Sequence, residues 1–338
     1  METLPLGVAV VGAGYWGPNL IRNFRASHSW SLRCIVERDP ERLEAQRRLY
    51  PGVAGYAEIE AALEDPQVQA IALATPPRTH HAMCVRAIEA GKHVLVEKPL
   101  AESYADAQDL CLRAERAGLC LMTDHTFLYT GAVEKLRALR ESGELGKVYY
   151  VDSVRINLGL FQESNVVWDL APHDISIINY VLNEMPHSVA LQLGACVHAS
   201  TPDVAFLTMW YGSGCIAHVH LSWLSPVKVR RTMISGSLKM AVWDDVEPTE
   251  KIYIYDKGVI VDPSSTTLQQ QMVSYRLGDL HVPLVDGREA LGKLIEDFAG
   301  AARNNVPTRT DGRFGAGVVR VIEAALRSAD LDGAKVSV

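Results

Sequence analysis

Three short segments carry the side chains able to do chemistry: Gly12-Ala-Gly-Tyr-Trp-Gly17, Glu97-Lys98-Pro99, and the run from Trp168 through Asp169, Pro172 and His173 to Ser176. Asp169 and His173 are four residues apart, so on a helix they share one face and can approach a single substrate hydroxyl together. Lys98 adds a further donor. None of the segments is diagnostic alone. Together, a glycine loop, a lysine and an Asp/His pair describe hydride transfer to or from an alcohol.

Oxidising a secondary alcohol needs a base for the hydroxyl proton, and a neutral imidazole suits that role near neutral pH. His173 is the expected base. Asp169 would orient the hydroxyl or the imidazole, and Lys98 would stabilise developing oxyanion charge. The roles of Lys98 and His173 can be exchanged without changing the reaction. The competing reading makes Lys98 an exposed loop residue, Asp169 a first-turn helix acid and His173 a satisfied core histidine. Pro172 predicts a helix start near Asp169 or Leu170, with both side chains toward its N-terminal mouth.

The glycine loop follows an apolar strand and opens a helix, the context that gives a G-x-G-x-x-G pattern its meaning. Gly12 permits the tight turn, Gly14 lets backbone approach a pyrophosphate, and Gly17 allows close helix–strand packing. Tyr15 and Trp16 lie in the same loop and are counted as cofactor contacts. Glu37, 20 residues beyond Gly17, is placed to accept ribose hydroxyls and favours NAD. Arg38 beside it would neutralise the extra phosphate of NADP or stack on adenine, so mixed use stays open. Thr75, Pro76 and Pro77 follow the strand expected at 70–73 and would border the nicotinamide half, with His80, Glu97 and Lys98 nearby. A metal pair at His80 and His81 is disfavoured, because adjacent helical residues point about 100° apart. No metal is expected.

From Gly7 to about Met122, short apolar runs alternate with amphipathic ones, the pattern of a parallel sheet covered on both faces. Strands are expected at 8–11, 32–37, 70–73, 93–96 and 120–122. The second is followed by a helix after Asp39-Pro40, with others at 78–90 and 104–117. Beyond Tyr129 the pattern becomes a helix at 132–142, a strand at 148–156, the Asp169/His173 helix, and a run of strands between 189 and 255. Turn signals join the latter, so an antiparallel meander is expected. Helices at 287–303 and 314–328 close the chain. The fold class is α/β: a Rossmann domain over 1–124, then an α+β domain over 125–338 with a large, open, mostly antiparallel sheet.

A chain of 338 residues suits two domains, and 48% hydrophobic with 22% charged residues is an ordinary globular composition. The net charge of −7 opposes nucleic-acid binding. Residues 1–150 hold 17 Lys and Arg against 19 Asp and Glu, and residues 151–338 hold 16 against 21, so most of the acidity lies in the second part. This is read as a solvated surface, although it would also suit a cationic amino sugar. The six cysteines form no C-x-x-C pair and read as buried free thiols, which predicts a reducing, cytoplasmic setting. The amino terminus reads as a strand and not as a signal peptide, and no apolar run is long enough to span a bilayer. His218 with His220, and Arg230 with Arg231, read as ordinary sheet and edge residues.

The segments Gly12 to Asn19 (GAGYWGPN), Ala74 to His80 (ATPPRTH), Gly91 to Leu100 (GKHVLVEKPL) and Trp168 to Ile175 (WDLAPHDI) resemble, in order and nearly end to end, the Gfo/Idh/MocA oxidoreductases. The resemblance implies a Rossmann domain plus an open-faced α/β domain that often oligomerises through its sheet, here as a homodimer or homotetramer. It also implies catalytic Lys98, Asp169 and His173, and a cis Lys98–Pro99 peptide. Glu37 departs from the Asp common at its place. His125 to Tyr129, Leu145-Gly146 and Arg155 to Gly159 look most like members acting on nucleotide sugars or antibiotic sugars, several of which oxidise a sugar 3-hydroxyl. Tyr129, Tyr149, Arg155, Asn157, Asn165 and Trp168 are the candidate substrate contacts. The reading is an NAD-dependent sugar dehydrogenase. Its alternatives are a keto-sugar reductase using NADH or NADPH, and a catalytically silent nucleotide-binding regulator.

Overall fold

The computed structural model describes residues 4–159, 165–197, 199–260 and 274–338. The chain divides into two compact units: Met1–Tyr129 with Arg288–Arg320, and Thr130–Gly287 with Val321–Val338. Expectation had placed one boundary after residue 124 and both closing helices in the second domain. Instead the chain returns to its first unit near its end.

In the first unit the elements are β1 (Leu6–Val11), α1 (Gly17–Ala26), β2 (Trp30–Val36), α2 (Pro40–Leu49), β3 (Ala54–Tyr56), α3 (Glu60–Glu64), β4 (Ala70–Leu73), α4 (His80–Glu89), β5 (His93–Glu97), α5 (Tyr104–Ala117) and β6 (Leu121–Asp124). The six strands pair in the order β3-β2-β1-β4-β5-β6, all parallel. Their apolar runs do not alternate because helices cover both faces; Val8, Ala9, Val10 and all of Ala70–Leu73 are fully buried. Strand order reverses between β1 and β4, so the loops after these two strands flank a crevice at the carboxyl edge. Local signals set the helix ends. Asp39 accepts from the amides of Glu41 and Arg42 with Pro40 as the first helical residue, and Gly118 ends α5 in the left-handed region.

The second unit opens with α6 (Gly131–Glu141), β7 (Val148–Leu158) and α7 (Val166–Leu182), followed by β8 (Ser188–Gly194), β9 (Val204–Trp210), β10 (Ile216–Ser222), β11 (Leu224–Gly236), β12 (Met240–Asp244) and β13 (Ile252–Tyr255). Short strands β14 (Gly258–Ile260), β15 (Ser274–Arg276) and β16 (Leu280–His281) come next. The main sheet runs β16-β13-β12-β11-β7-β10-β9-β8-β17, with β17 (Val336–Ser337) at one edge. Only β7 and β10 pair in parallel. Helix α7 packs on β7, β9 and β10. Those strands bury alternate residues, among them Val151, Ser153 and Arg155, then Leu207 and Met209, then Ala217 and Val219. The intervening positions present Tyr150, Phe206, Ile216 and His218 on the opposite face.

Helix α8 (Ala290–Asn304) joins the first unit, and α9 (Gly312–Asp330) runs from the first unit into the second. Trp30 locks α8 in place. Its ring stacks on Phe298 and meets Phe24 edge-on, and its indole N–H donates to the Ile295 carbonyl at 2.8 Å. Replacing Trp30 by Ala removes all three contacts from a buried position, so the expected loss is about 3–5 kcal/mol of unfolding free energy in urea. A loss below about 1 kcal/mol would show that α8 does not depend on this anchor.

Candidate functional site

The glycine loop is shaped by backbone approach. Gly12 adopts φ +94, and a Cβ there would lie 2.5 Å from the Ala74 carbonyl oxygen; a Cβ on Gly17 would lie 2.0 Å from that of Gly12. Gly14 has open space around it, with only an Arg42 nitrogen at 3.8 Å from the place of a Cβ. The residues thus fit a dinucleotide cradle: two glycines fold the turn and the third leaves backbone open to phosphates. Glu37 follows β2, accepting from the Ala13 amide at 2.6 Å and the Asp39 amide at 3.0 Å. Its carboxylate is therefore fixed beside the loop. Arg38 is exposed and faces Glu58 at 3.6 Å. Tyr15 is exposed at the loop tip, whereas the Trp16 indole donates to Asp124 at 2.9 Å.

Pro76 and Pro77 are exposed after β4, and the Thr75 hydroxyl accepts from Thr79. His80, counted among the residues near the cofactor, is fully buried, with one ring nitrogen 2.8 Å from the Pro99 carbonyl and the other 2.8 Å from that of Thr75. A neutral ring donates to only one of them, so the tautomer decides which loop is tied more firmly. His81 instead pairs with Asp109 at 2.9 Å. Glu97 ends β5 and Lys98 follows it, both half-buried, and the Lys98–Pro99 peptide is cis as expected.

Buried ionisable groups surround Lys98. Burial, then the Lys98 charge, pushes the His125 imidazole down to about 3. Burial also lowers His80, with Lys98 adding to it against the two carbonyl contacts, and burial raises the Asp124 carboxyl against the bonds from Thr126 and Trp16. Both neighbouring histidines are therefore neutral at ordinary pH.

In the second unit α7 begins at Val166, earlier than Pro172 suggested, because Asn165 caps it by accepting from the amides of Val167 and Trp168. Pro172 sits in the second turn, where its missing N–H removes the usual donor to the Trp168 carbonyl. The helix is buried almost throughout, and its open positions before Tyr180 are Trp168, Asp169 and His173. Asp169 and His173 do share one face. The Trp223 indole donates to Asp169 Oδ2 at 3.0 Å.

Residues 6–125 match the model of an oxidoreductase family with an NAD-binding Rossmann fold, and residues 133–242 match the Gfo/Idh/MocA C-terminal domain. The chain belongs to the Gfo/Idh/MocA family. It is 25% identical to 2,7-anhydro-N-acetylneuraminate hydratase of Escherichia coli over 228 residues, covering 63% of this chain and 60% of that one. It spans 57–60% of the length of such curated relatives. Among solved structures, an oxidoreductase from Magnetospirillum magnetotacticum is 27% identical with a TM-score of 0.81, covering 95% of this chain and 99% of that one. UDP-N-acetylglucosamine 3-dehydrogenase GnnA from Acidithiobacillus ferrooxidans is 23% identical with a TM-score of 0.80, covering 97% and 99%. The NAD expectation agrees with the family's own description.

Against this Gfo/Idh/MocA background, several expected substrate contacts are engaged elsewhere. Tyr129 is buried in the first unit, donating to Asp297 at 2.6 Å beneath the Arg309 guanidinium. Arg155 is 3% exposed and paired with Asp174 at 2.6 Å, so its guanidinium serves the interior and not a diphosphate or carboxylate ligand. Tyr149 lies eight residues before Asn157 on β7, about 26 Å along the strand. Asp169 lies toward the Asn157 end, since Trp223 bonds both Asp169 and Gly159. Asn165 is the helix cap, while Asn157 and Trp168 remain half-exposed near Asp169. Trp223 and Asp124 escaped the sequence reading, because each acts on a residue far away in sequence. Of the six cysteines, Cys196 is exposed, contrary to expectation. No helix among the described residues is long and apolar enough to cross a membrane.

His125 gives the protein a pH dependence of known sign. Its folded value near 3 lies below the ordinary 6.5, so between these values the unfolded chain binds a proton that the folded ring refuses. Stability from this group is complete above pH 6.5 and is lost as pH falls toward 3, with a slope of at most about 1.4 kcal/mol per pH unit. Urea unfolding of His125→Phe should accordingly lose less stability than wild type on going from about pH 7 to about pH 4.5; equal losses would remove His125 as the cause.

Proposed function

We propose that this protein is an NAD-dependent dehydrogenase that oxidises a secondary hydroxyl, at C3, of a sugar, nucleotide sugar or aminoglycoside sugar. The observation that carries the reading is the helix α7 face on which Asp169 and His173 stay open while their neighbours are buried. It occurs in a chain whose first unit carries the glycine cradle and Lys98. NAD, when bound, supplies the hydride acceptor. His173 takes the hydroxyl proton, Asp169 orients the hydroxyl or the imidazole, and Lys98 steadies the charge that develops on oxygen. Gly12, Gly14, Gly17 and Glu37 hold the dinucleotide, with Tyr15, Trp16, Thr75, Pro76 and Pro77 around it. Asn157 and Trp168 are the remaining candidates for sugar contacts.

The fold of UDP-N-acetylglucosamine 3-dehydrogenase supports the substrate class, which would place the enzyme in amino-sugar or antibiotic-sugar biosynthesis. The exposed sheet face bearing Tyr150, Phe206 and Ile216 supports a homodimer or homotetramer formed through it. Fixed by two backbone amides beside the loop, the Glu37 carboxylate favours NAD over NADP.

Screening nucleotide sugars, aminoglycosides and inositols for NADH production tests the reading, and oxidation of NADH by keto sugars alone would reverse the direction. His173→Ala and Lys98→Ala should each lower kcat by about 10²–10⁴-fold while NADH binding, followed by fluorescence, stays intact. Near-normal turnover in either variant defeats the scheme. Titration should also find NADH bound more tightly than NADPH, and the opposite preference would refute the cofactor assignment.

A further inference from the structure

We propose that Trp223 is a positioning residue that holds the Asp169 carboxylate in one orientation, an inference that rests on the role given to Asp169 above. Strands β10 and β11 flank β7 on either side, and Trp223 is the single residue joining them, at the end of β7. Its main chain is held from both directions. Its amide donates to the Asp203 carbonyl at 3.0 Å, and its carbonyl accepts from the Gly159 amide at 3.0 Å. Its ring is 1% exposed and packs against Gly159, where a Cβ would lie 2.4 Å from the indole Cδ1. No side chain fits between the strand end and the indole. So fixed, Nε1 donates to Asp169 Oδ2 at 3.0 Å.

A donor held this rigidly defines the plane and rotamer of a carboxylate, because one oxygen is committed to a fixed point. The indole suits the task, being a donor only and unable to exchange roles with the carboxylate.

Trp223→Phe keeps the apolar bulk and deletes the donor. In that variant kcat for sugar oxidation should fall about tenfold with KM for the sugar little changed. Wild-type kcat in folded Trp223→Phe overturns the inference. Should that variant fail to fold, the Trp223 indole N–H resonance of the wild type, assigned through the backbone, provides the measurement. It should move in Asp169→Ala, and an unmoved resonance overturns the inference. Failure of the dehydrogenase reading is distinct: no sugar yields NADH, although the indole resonance still moves.

Discussion

The buried pair between Arg155 and Asp174 is the constraint on which the second unit depends. Asp174 accepts from Arg155 Nε at 2.6 Å and from the Ser153 hydroxyl at 2.7 Å, and Ser153 in turn meets Thr232 across the β7–β11 ladder at 3.0 Å. These bonds fix the rotation of α7 about its own axis. Because neighbouring helical residues are about 100° apart, tying Asp174 to the sheet turns His173 away from it, and Asp169, one turn earlier, turns with His173. Two charges inside a sheet–helix interface are costly to desolvate and are compensated only while both remain bonded. The arrangement is better understood as specifying one orientation than as a source of net stability.

How much of this was legible in the sequence depended on whether a signal was local. Strands announced themselves as apolar or alternating runs bounded by turns, and the expected 70–73, in the parallel sheet, and 204–210 and 252–255, in the antiparallel one, coincide with the observed strands. Strand β3, only Ala54–Tyr56 and mostly exposed, has no apolar run to read. Strand β11 holds Pro226 near its start and continues through a register shift between Leu224 and Val229, a place where proline is tolerated. The placement of α8 was invisible because its amphipathic stripe states that it covers something and not which unit it covers.

The site residues divide along the same line. Lys98, Asp169 and His173 stand in short motifs whose spacing has a chemical meaning, so they could be nominated from sequence. Arg155 was nominated for its charge, and Tyr129 for its hydroxyl, yet partners distant in the chain, Asp174 and Asp297, claim both. A polar side chain in a motif is equally suited to a ligand and to an interior partner. Burial alone separates the two uses.

Burial also explains why the two units treat ionisable groups so differently. Around Lys98, desolvation holds His80 and His125 neutral, so neither ring adds positive charge beside it. On α7 burial selects differently: Asp174, turned toward the sheet, is closed off with Arg155, while His173, the next residue back along the helix, is half-open. A side chain proposed to exchange protons with solvent has to lie on the open side of that helix, and the buried pair is what leaves His173 there.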